Sequence, residues 1–169
     1  MAIDWSSIFG EIHERTSPAT SEALIAILAP FTEAEIASQR IDPRKWSLPA
    51  EPLPEDLVAF LCWSDGATWR TGSREFSCFG CKEIREYMLA YEFPEYLPGA
   101  IPLGLDGGGI FCALDLRAGS NSSLYAAGSG NLDWNDVCYL APTFTDFCRG
   151  TSRIGEEYFR YLGQNPRRA

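Results

Sequence analysis

The sequence predicts an α+β fold: a single domain in which a twisted, largely antiparallel sheet packs against helices. Three observations favour this fold. Apolar residues in the first half recur every three or four positions, as they do on one face of a helix. The second half consists of short runs rich in aromatic and branched residues, separated by glycine-rich turns. Helical spacing then returns at the end, and helices first, strands late and a closing helix are typical of an α+β domain.

Length and charge limit the possible functions. The chain has 169 residues, which suits one domain spanning residues 1–169 and is enough to bury a core without a disulfide, metal or cofactor. Its 23 acidic and 14 basic residues give a formal charge of −9. This charge repels phosphate backbones and anionic lipid, so we expect no direct nucleic-acid or membrane partner. The start of the chain lacks the pattern of a secretory signal, and the longest apolar stretch, residues 23–31, is too short for a membrane span, which favours the cytoplasm.

Residues 1–40 are predicted to be helical. A first amphipathic helix begins behind a capping Asp4. Its apolar residues are spaced by three and four positions: Trp5, Ile8, Phe9 and Ile12. A second helical stretch ends at Pro30, and Thr32 with Glu35 forms a capping box that starts another helix.

A proline-rich connector, predicted to be extended over residues 42–54, joins this region to the rest of the chain. After it the sequence predicts a helix, two short strands and a long amphipathic helix, in "LPEDLVAFLCW", "TWRTGSREFSCF" and "CKEIREYMLAYEFPEYL". An antiparallel meander is predicted next, in "AIPLGL", "GIFCALDLR", "SLYAAGS" and "DVCYLAP". Two helices, in "TFTDFCRG" and "SRIGEEYFRYLG", complete the domain.

Residues suited to catalysis are few. The one histidine, His13, falls on the polar side of the predicted first helix, which argues against a Ser-His-Asp or Cys-His centre. Structural zinc needs four Cys or His ligands, and the single Cys-x-x-Cys pair supplies only two of them. Because the sequence has no second pair of this kind, we expect no metal. That pair, Cys78 and Cys81, lies at the predicted start of a helix, where a thiolate can be stabilised. The other four cysteines, within apolar runs, are interpreted as buried free thiols.

Three sequence blocks stand out by their order and spacing. They are "LPEDLVAFLCWSDGA" (residues 53–67), "IPLGLDGGGIFCALDLR" (residues 101–117) and "VCYLAPTFTDFCRG" (residues 137–150). In series these blocks resemble the SUKH superfamily, the fold of bacterial immunity proteins and of fungal cell-wall regulators of the SMI/KNR type. Asp65 stands where that family more often has Asn. The resemblance implies a SUKH, SMI/KNR-like α+β fold and no catalytic centre.

The resemblance also implies a function. We expect a non-enzymatic immunity protein that binds and neutralises a cognate bacterial polymorphic or contact-dependent toxin domain, with a nuclease as the expected toxin. A nuclease presents a basic cleft to phosphates, and an acidic protein can be steered to that cleft and occlude it. The protein itself is expected to be a monomer or a weak dimer.

Candidate contact residues are polar or aromatic residues of loops, because interfaces are enriched in aromatic and arginine anchors amid complementary charge. Seven residues are predicted on this basis: Trp63, Asp65, Trp69, Glu92, Asp106, Asp133 and Trp134. For Trp63 and Trp69, burial in the core is an equally good interpretation.

Two alternative functions remain open from the sequence. One is a protein-interaction or regulatory module of the same fold that has no toxin partner. The other is a thiol oxidoreductase that uses Cys78 and Cys81, although its motif is normally set in a βαβ pattern and an antiparallel meander is predicted here.

Overall fold

The structure, a computed structural model, describes residues 2–40 and 42–165. Within these residues it contains eight α-helices and seven strands. The helices are α1 (Trp5–Ile8), α2 (Ser21–Ile27), α3 (Glu33–Ala37), α4 (Glu55–Trp63), α5 (Cys81–Ala90), α6 (Phe93–Tyr96), α7 (Phe144–Arg149) and α8 (Ile154–Gln164). The strands are β1 (Glu11–Arg15), β2 (Ala67–Thr71), β3 (Arg74–Cys78), β4 (Ala100–Leu105), β5 (Ile110–Asp115), β6 (Leu124–Gly128) and β7 (Cys138–Ala141).

The seven strands form one sheet whose spatial order is the order of the chain, β1 to β7, and every neighbouring pair is antiparallel. This confirms the predicted α+β fold with an antiparallel sheet. The predicted meander is present as β4 to β7, and the two short strands before it are β2 and β3. Of the predicted domain, residues 1, 41 and 166–169 lie outside the described residues.

The prediction that residues 1–40 are helical is wrong for one segment. Residues 11–15 form β1, which pairs with β2, so His13 lies on an edge strand and not on a helix. Gly10 explains the change, because a Cβ built on it would lie 2.9 Å from the carbonyl oxygen of Arg70. The chain therefore passes close to β2 at this point, and Ile12 pairs there with Trp69.

The N-terminal segment belongs to the core. Trp5 and Phe9 are both buried, and their rings are stacked with centroids 6.2 Å apart. The Trp5 ring lies 5.4 Å from Phe60 of α4, and the Phe9 ring lies 4.4 Å from Trp69 of β2. Apolar burial of such aromatic rings is a principal stabilising contribution in a domain of this size.

The connector over residues 42–54 contains one 3₁₀ turn, Pro43–Lys45, and otherwise neither helix nor strand. It is held against the rest of the chain. The Trp46 indole N–H donates to a carboxylate oxygen of Glu95 at 2.6 Å. The backbone N–H groups of Ala50 and Glu51 both donate to the carbonyl oxygen of Leu116, each at 3.0 Å.

Helices cover the two faces of the sheet unequally. On one face, Trp69 and Phe76 contact Phe60 of α4 and Phe147 of α7. On the same side, a Cβ built on Gly128 would meet the Tyr158 hydroxyl of α8. That face is covered by α4, α7 and α8.

The opposite face is covered only in its middle. Cross-strand pairing places Ser77, Leu105, Phe111 and Ala127 on this face. Phe111 contacts Tyr87 of α5, Tyr91 directly after α5 and Phe93 of α6, at ring-centroid distances between 4.8 and 6.2 Å. Those two helices therefore lie over β4 and β5, and they leave β1 to β3 uncovered on one side and β6 to β7 uncovered on the other.

Candidate functional site

The uncovered part of β1 to β3, here called the acidic flank, carries mainly polar side chains. Its members share the face of Ser77 through cross-strand pairing: Glu11, Glu14, Thr68, Arg70, Glu75 and Ser77. Arg70 donates to Glu11 at 2.6 Å, and His13 Nε2 lies 4.0 Å from Glu75. Exposed pairs of this kind contribute little to stability, so the flank is a solvated surface of long, flexible side chains.

A pocket of about 250 Å³ borders the acidic flank and is lined by three carboxylates, Glu14, Asp65 and Glu83. Two of them are used by the backbone at the start of α5. Asp65 accepts from the N–H of Cys81 at 2.7 Å, and Glu83 accepts from the N–H of Gly80 at 3.1 Å. Across residues 2–40 and 42–165, no group of three or more His, Cys, Asp or Glu residues is arranged to hold a metal ion.

The part of β6 and β7 beyond α5 and α6, together with two side chains that pack on it from outside the strands, is here called the aromatic flank and has a different chemistry. It consists of four residues: Arg117, Tyr125, Trp134 and Tyr139. Tyr125 and Tyr139 are cross-strand partners whose ring centroids are 5.8 Å apart. The Tyr125 ring meets Trp134 edge-on at 5.7 Å, and the Arg117 guanidinium lies 3.7 Å from the Trp134 ring centroid. Tyr139 is the most open member, with 55% of its surface exposed.

Two members of the aromatic flank, Arg117 and Trp134, are fixed in place by neighbouring residues. Arg117 makes a two-pronged ion pair with buried Asp115, with nitrogen to oxygen distances of 3.0 and 2.8 Å. Hydrogen bonding to this carboxylate raises the pKa of Arg117. The Trp134 indole N–H donates to the carbonyl oxygen of Pro98 at 2.9 Å. Gly99 has a positive φ of 84°, and a Cβ there would meet the Arg117 side chain, so this position requires glycine.

Two of the predicted contact residues are tryptophans of the core region. Trp69 is fully buried, so its prediction as a contact residue is wrong and the alternative interpretation, a core residue, is correct. Trp63 is half-buried against Phe9 and Phe60. The Arg15 guanidinium covers its ring at 4.0 Å from the centroid, so this arginine has to move before a partner could touch the ring face.

Each of the three predicted aspartates accepts a backbone N–H bond, Asp106 and Asp133 within a turn and Asp65 from the start of α5. Asp65 accepts from the N–H of Cys81, and Asp106 accepts from the N–H of Gly108 at 2.7 Å and from that of Ile110 at 3.0 Å. Asp133 accepts from the N–H of Asn135 at 2.8 Å. Aspartate is favoured in turns because its short side chain reaches nearby backbone donors. For Asp106 and Asp133 this local role is compatible with a contact role only where the carboxylate also faces solvent.

The seven predicted residues do not form one surface. Asp133 and Trp134 lie together at the aromatic flank, and Asp133 is exposed. Glu92, half-buried, precedes α6 with a left-handed φ of 53°. Asp106 lines a shallow cleft of about 690 Å³ beside the start of α8, a cleft that also includes Phe159, which is 63% exposed.

The pair Cys78 and Cys81 lacks the environment of a redox dithiol. Burial raises the pKa of Cys78 well above its usual range. Burial, together with the neighbouring Asp65 carboxylate, raises the pKa of Cys81 to about 12. A reactive thiol needs a lowered pKa, so both side chains are neutral thiols at physiological pH. Of the cysteines interpreted as buried, Cys62 is exposed, which corrects that interpretation.

Sequence reasoning missed three members of the aromatic flank: Arg117, Tyr125 and Tyr139. A signal was present in the two strand segments. In "LYAAG" and "CYLA" the tyrosine is more exposed than the apolar residues on either side of it, and such alternation is typical of a strand with one open face. Arg117 gave no such signal, because its ion pair with Asp115 depends on the local turn.

No helix within residues 2–40 and 42–165 is long and apolar enough to cross a membrane.

A search of curated proteins found no match. The sequence model of the SMI1 / KNR4 family (SUKH-1) matches residues 45–150, from the connector through β2 to β7 and to the end of α7. This match covers more than half of the chain and contains all three blocks on which the resemblance was based, and the chain belongs to the SMI1 / KNR4 family (SUKH-1).

Proposed function

We propose that this protein is an immunity protein, which binds a bacterial toxin domain and neutralises it by covering its working surface. The observation that carries the proposal is its membership of the SMI1 / KNR4 family (SUKH-1), which is consistent with immunity-protein function. The geometry supports a binding role in a specific way. One face of the sheet is left open at two flanks, and a broad solvated surface of this kind suits contact with another protein.

The toxin that best fits the charge of this chain is a nuclease. A formal charge of −9 produces a field that attracts the basic surface with which a nuclease holds phosphates. Electrostatic attraction of this kind raises the association rate and becomes weaker as salt screens it. Neutralisation is then occlusion: the nucleic acid cannot enter a cleft that this acidic protein occupies.

Binding without catalysis is part of the proposal. The pKa of Cys81 is raised to about 12, and the pKa of buried Cys78 is also raised. Because neutral thiols are poor nucleophiles, these shifts support a binding function over a thiol oxidoreductase. An interaction module of the same fold that has no toxin partner would rescue cells from no toxin in a survival experiment, whereas an immunity protein would rescue them from one.

The proposal is tested by co-expressing this protein with each toxin domain encoded in its own genome and counting surviving cells. We expect rescue from one toxin domain. With that domain purified, its nuclease activity should fall in proportion to added protein and reach zero near one equivalent, because occlusion is stoichiometric. Inactivation by a much smaller amount would indicate catalysis by this protein. Rescue from none of the domains would exclude an immunity function and favour the interaction module.

A further inference from the structure

We propose that the aromatic flank is the toxin-docking surface of this protein, and that the partner presents lysine or arginine side chains to it. The inference rests on the proposed immunity function and adds the surface and the chemistry of its partner. Three features carry it: the residue types of the flank, its rigidity, and the charge around it.

The residue types are those that dominate binding energy at protein interfaces. Alanine scanning finds most of that energy in a few Trp, Tyr and Arg residues surrounded by contacts that exclude water. The aromatic flank combines all three types, in Arg117, Tyr125, Trp134 and Tyr139, on an open part of a sheet. The acidic flank, by comparison, presents Glu, Thr, Ser and a single Arg.

Rigidity separates the two flanks further. Fixing a free, rotamer-rich side chain at an interface costs conformational entropy. On the acidic flank, Glu75 has 66% of its side chain exposed, and its contact with His13 is long, at 4.0 Å. On the aromatic flank Arg117 is already fixed by Asp115 and Trp134, and Trp134 by Pro98. Arg117 and Trp134 therefore lose less conformational entropy when a partner binds than a free side chain such as Glu75 does.

The charge around the aromatic flank selects a basic partner. Asp133 is exposed and caps the 3₁₀ turn that begins at Trp134. Because Asp115 neutralises the guanidinium of Arg117, the carboxylate of Asp133 leaves this flank with a net negative charge. The open ring of Tyr139 offers a further attraction, because aromatic faces bind cations. A lysine or arginine of the toxin can lie over this ring and pair with Asp133.

The closing experiment uses the toxin domain recovered in the survival screen, in a catalytically inactive form, and measures its dissociation constant by calorimetry. Tyr139→Ala removes a mostly exposed ring and should weaken binding by at least about tenfold. Asp133→Asn keeps an acceptor for the Asn135 N–H while it removes the charge. It should weaken binding by about threefold and reduce the dependence of binding on salt.

Matched controls lie elsewhere on the protein. Glu75→Ala removes an exposed carboxylate of the acidic flank, and Phe159→Ala removes an exposed ring of α8. Both should change the dissociation constant by less than about twofold, the range of contacts outside the hot spot. Circular dichroism and the unfolding midpoint check that every variant is folded.

The outcomes separate the two proposals. If the wild-type protein neutralises a toxin but Tyr139→Ala and Asp133→Asn bind it as the wild type does, the docking surface is wrong and the immunity function stands. A larger loss for Glu75→Ala or Phe159→Ala would place the interface on the acidic flank or on α8, and would equally overturn the inference. If the wild-type protein neutralises no toxin, both proposals fail.

Discussion

The Oδ1 atom of Asp65 accepts a hydrogen bond of 2.7 Å from the backbone N–H of Cys81. This bond ties the end of α4 to the first residue of α5, across the strands β2 and β3. The two segments are so close that a Cβ on Gly80 would lie 2.6 Å from the carbonyl oxygen of Asp65. Position 65 thus requires a short side chain with an oxygen acceptor, and asparagine would supply the same atom.

Replacing Asp65 tests this structural role. We expect Asp65→Ala to lower the free energy of unfolding by about 1–2 kcal/mol, because a part-buried N–H loses its acceptor. Asp65→Asn should lower it by less than half as much, since its side-chain oxygen can accept the same bond. Urea unfolding followed by fluorescence measures both. Equal losses for the two variants would mean that the charge matters and the acceptor does not.

Arg74 is a second buried structural residue, with 3% exposure. Its guanidinium donates to the carbonyl oxygens of Phe147 at 2.7 Å and Ser152 at 2.8 Å, and to Glu157 at 3.2 Å. Arg74→Met should therefore lower the free energy of unfolding by about 2–4 kcal/mol, because buried carbonyls lose their donors.

The control for Arg74 is Arg70 of the neighbouring strand. Its pair with Glu11 is exposed on both sides, so Arg70→Met should cost less than about 1 kcal/mol. Chemical denaturation of the two variants under identical conditions gives the comparison, and similar losses would contradict the role assigned to Arg74.

Stability at acid pH should depend on Glu35. Hydrogen bonds from Arg85, at 2.8 and 3.1 Å, hold the pKa of Glu35 below its ordinary value of 4.5. Because the pKa is lowered in the folded state, the stabilisation is complete above about 4.5 and is lost as the pH falls through the folded pKa. Glu35→Gln should thus be less stable than the wild type at pH 7 by about 1 kcal/mol, and the difference should shrink below pH 4.5.

Unfolding curves measured between pH 3 and 7 follow this difference. Glu33→Gln is the control, since Glu33 is an exposed carboxylate of the same helix. It should differ from the wild type by only a few tenths of a kcal/mol across the range. A difference for Glu35→Gln that is constant with pH would exclude the ion pair as its cause.

Thiol reactivity distinguishes the oxidoreductase from the binding function. In the native protein we expect one cysteine, exposed Cys62, to react quickly with Ellman's reagent at pH 8, and all six to react in denaturant. Cys62→Ser should remove the fast reaction. A fast reaction that persists in Cys62→Ser and disappears in Cys78→Ser or Cys81→Ser would revive the redox alternative, as would a disulfide reductase activity that needs both thiols.

Much of the fold could be predicted because the sequence patterns are local. The capping box of Thr32 and Glu35 forms as predicted, with bonds of 2.8 and 3.1 Å. The meander follows from turn residues between apolar runs. The edge strand β1 could not be predicted in this way, because the spacing of Phe9 and Ile12 also fits a helix. What decides the outcome is Gly10 and the close approach of β2, a contact distant in sequence.

The candidate site was less predictable. Asp133 and Trp134 were found because turn residues and tryptophan at a loop are visible in the sequence. Whether a tryptophan of a strand is buried depends on which face of the sheet is covered. Trp69 is buried because α4 and Phe9 pack against its face. The openness of Tyr139 likewise follows from where α5 and α6 stop, which no local pattern specifies.

The order of the sheet has a consequence for synthesis on the ribosome. β1 ends at Arg15 and its neighbour β2 begins at Ala67, so the first strand is translated long before its partner exists. Each later strand can pair with one already made, and the sheet can grow from β2 to β7 as the chain emerges. Until β2 has been synthesised, β1 has no strand with which to pair. Its run Glu-Ile-His-Glu-Arg is mostly charged or polar, and such residues discourage an unpaired strand from pairing with other nascent chains.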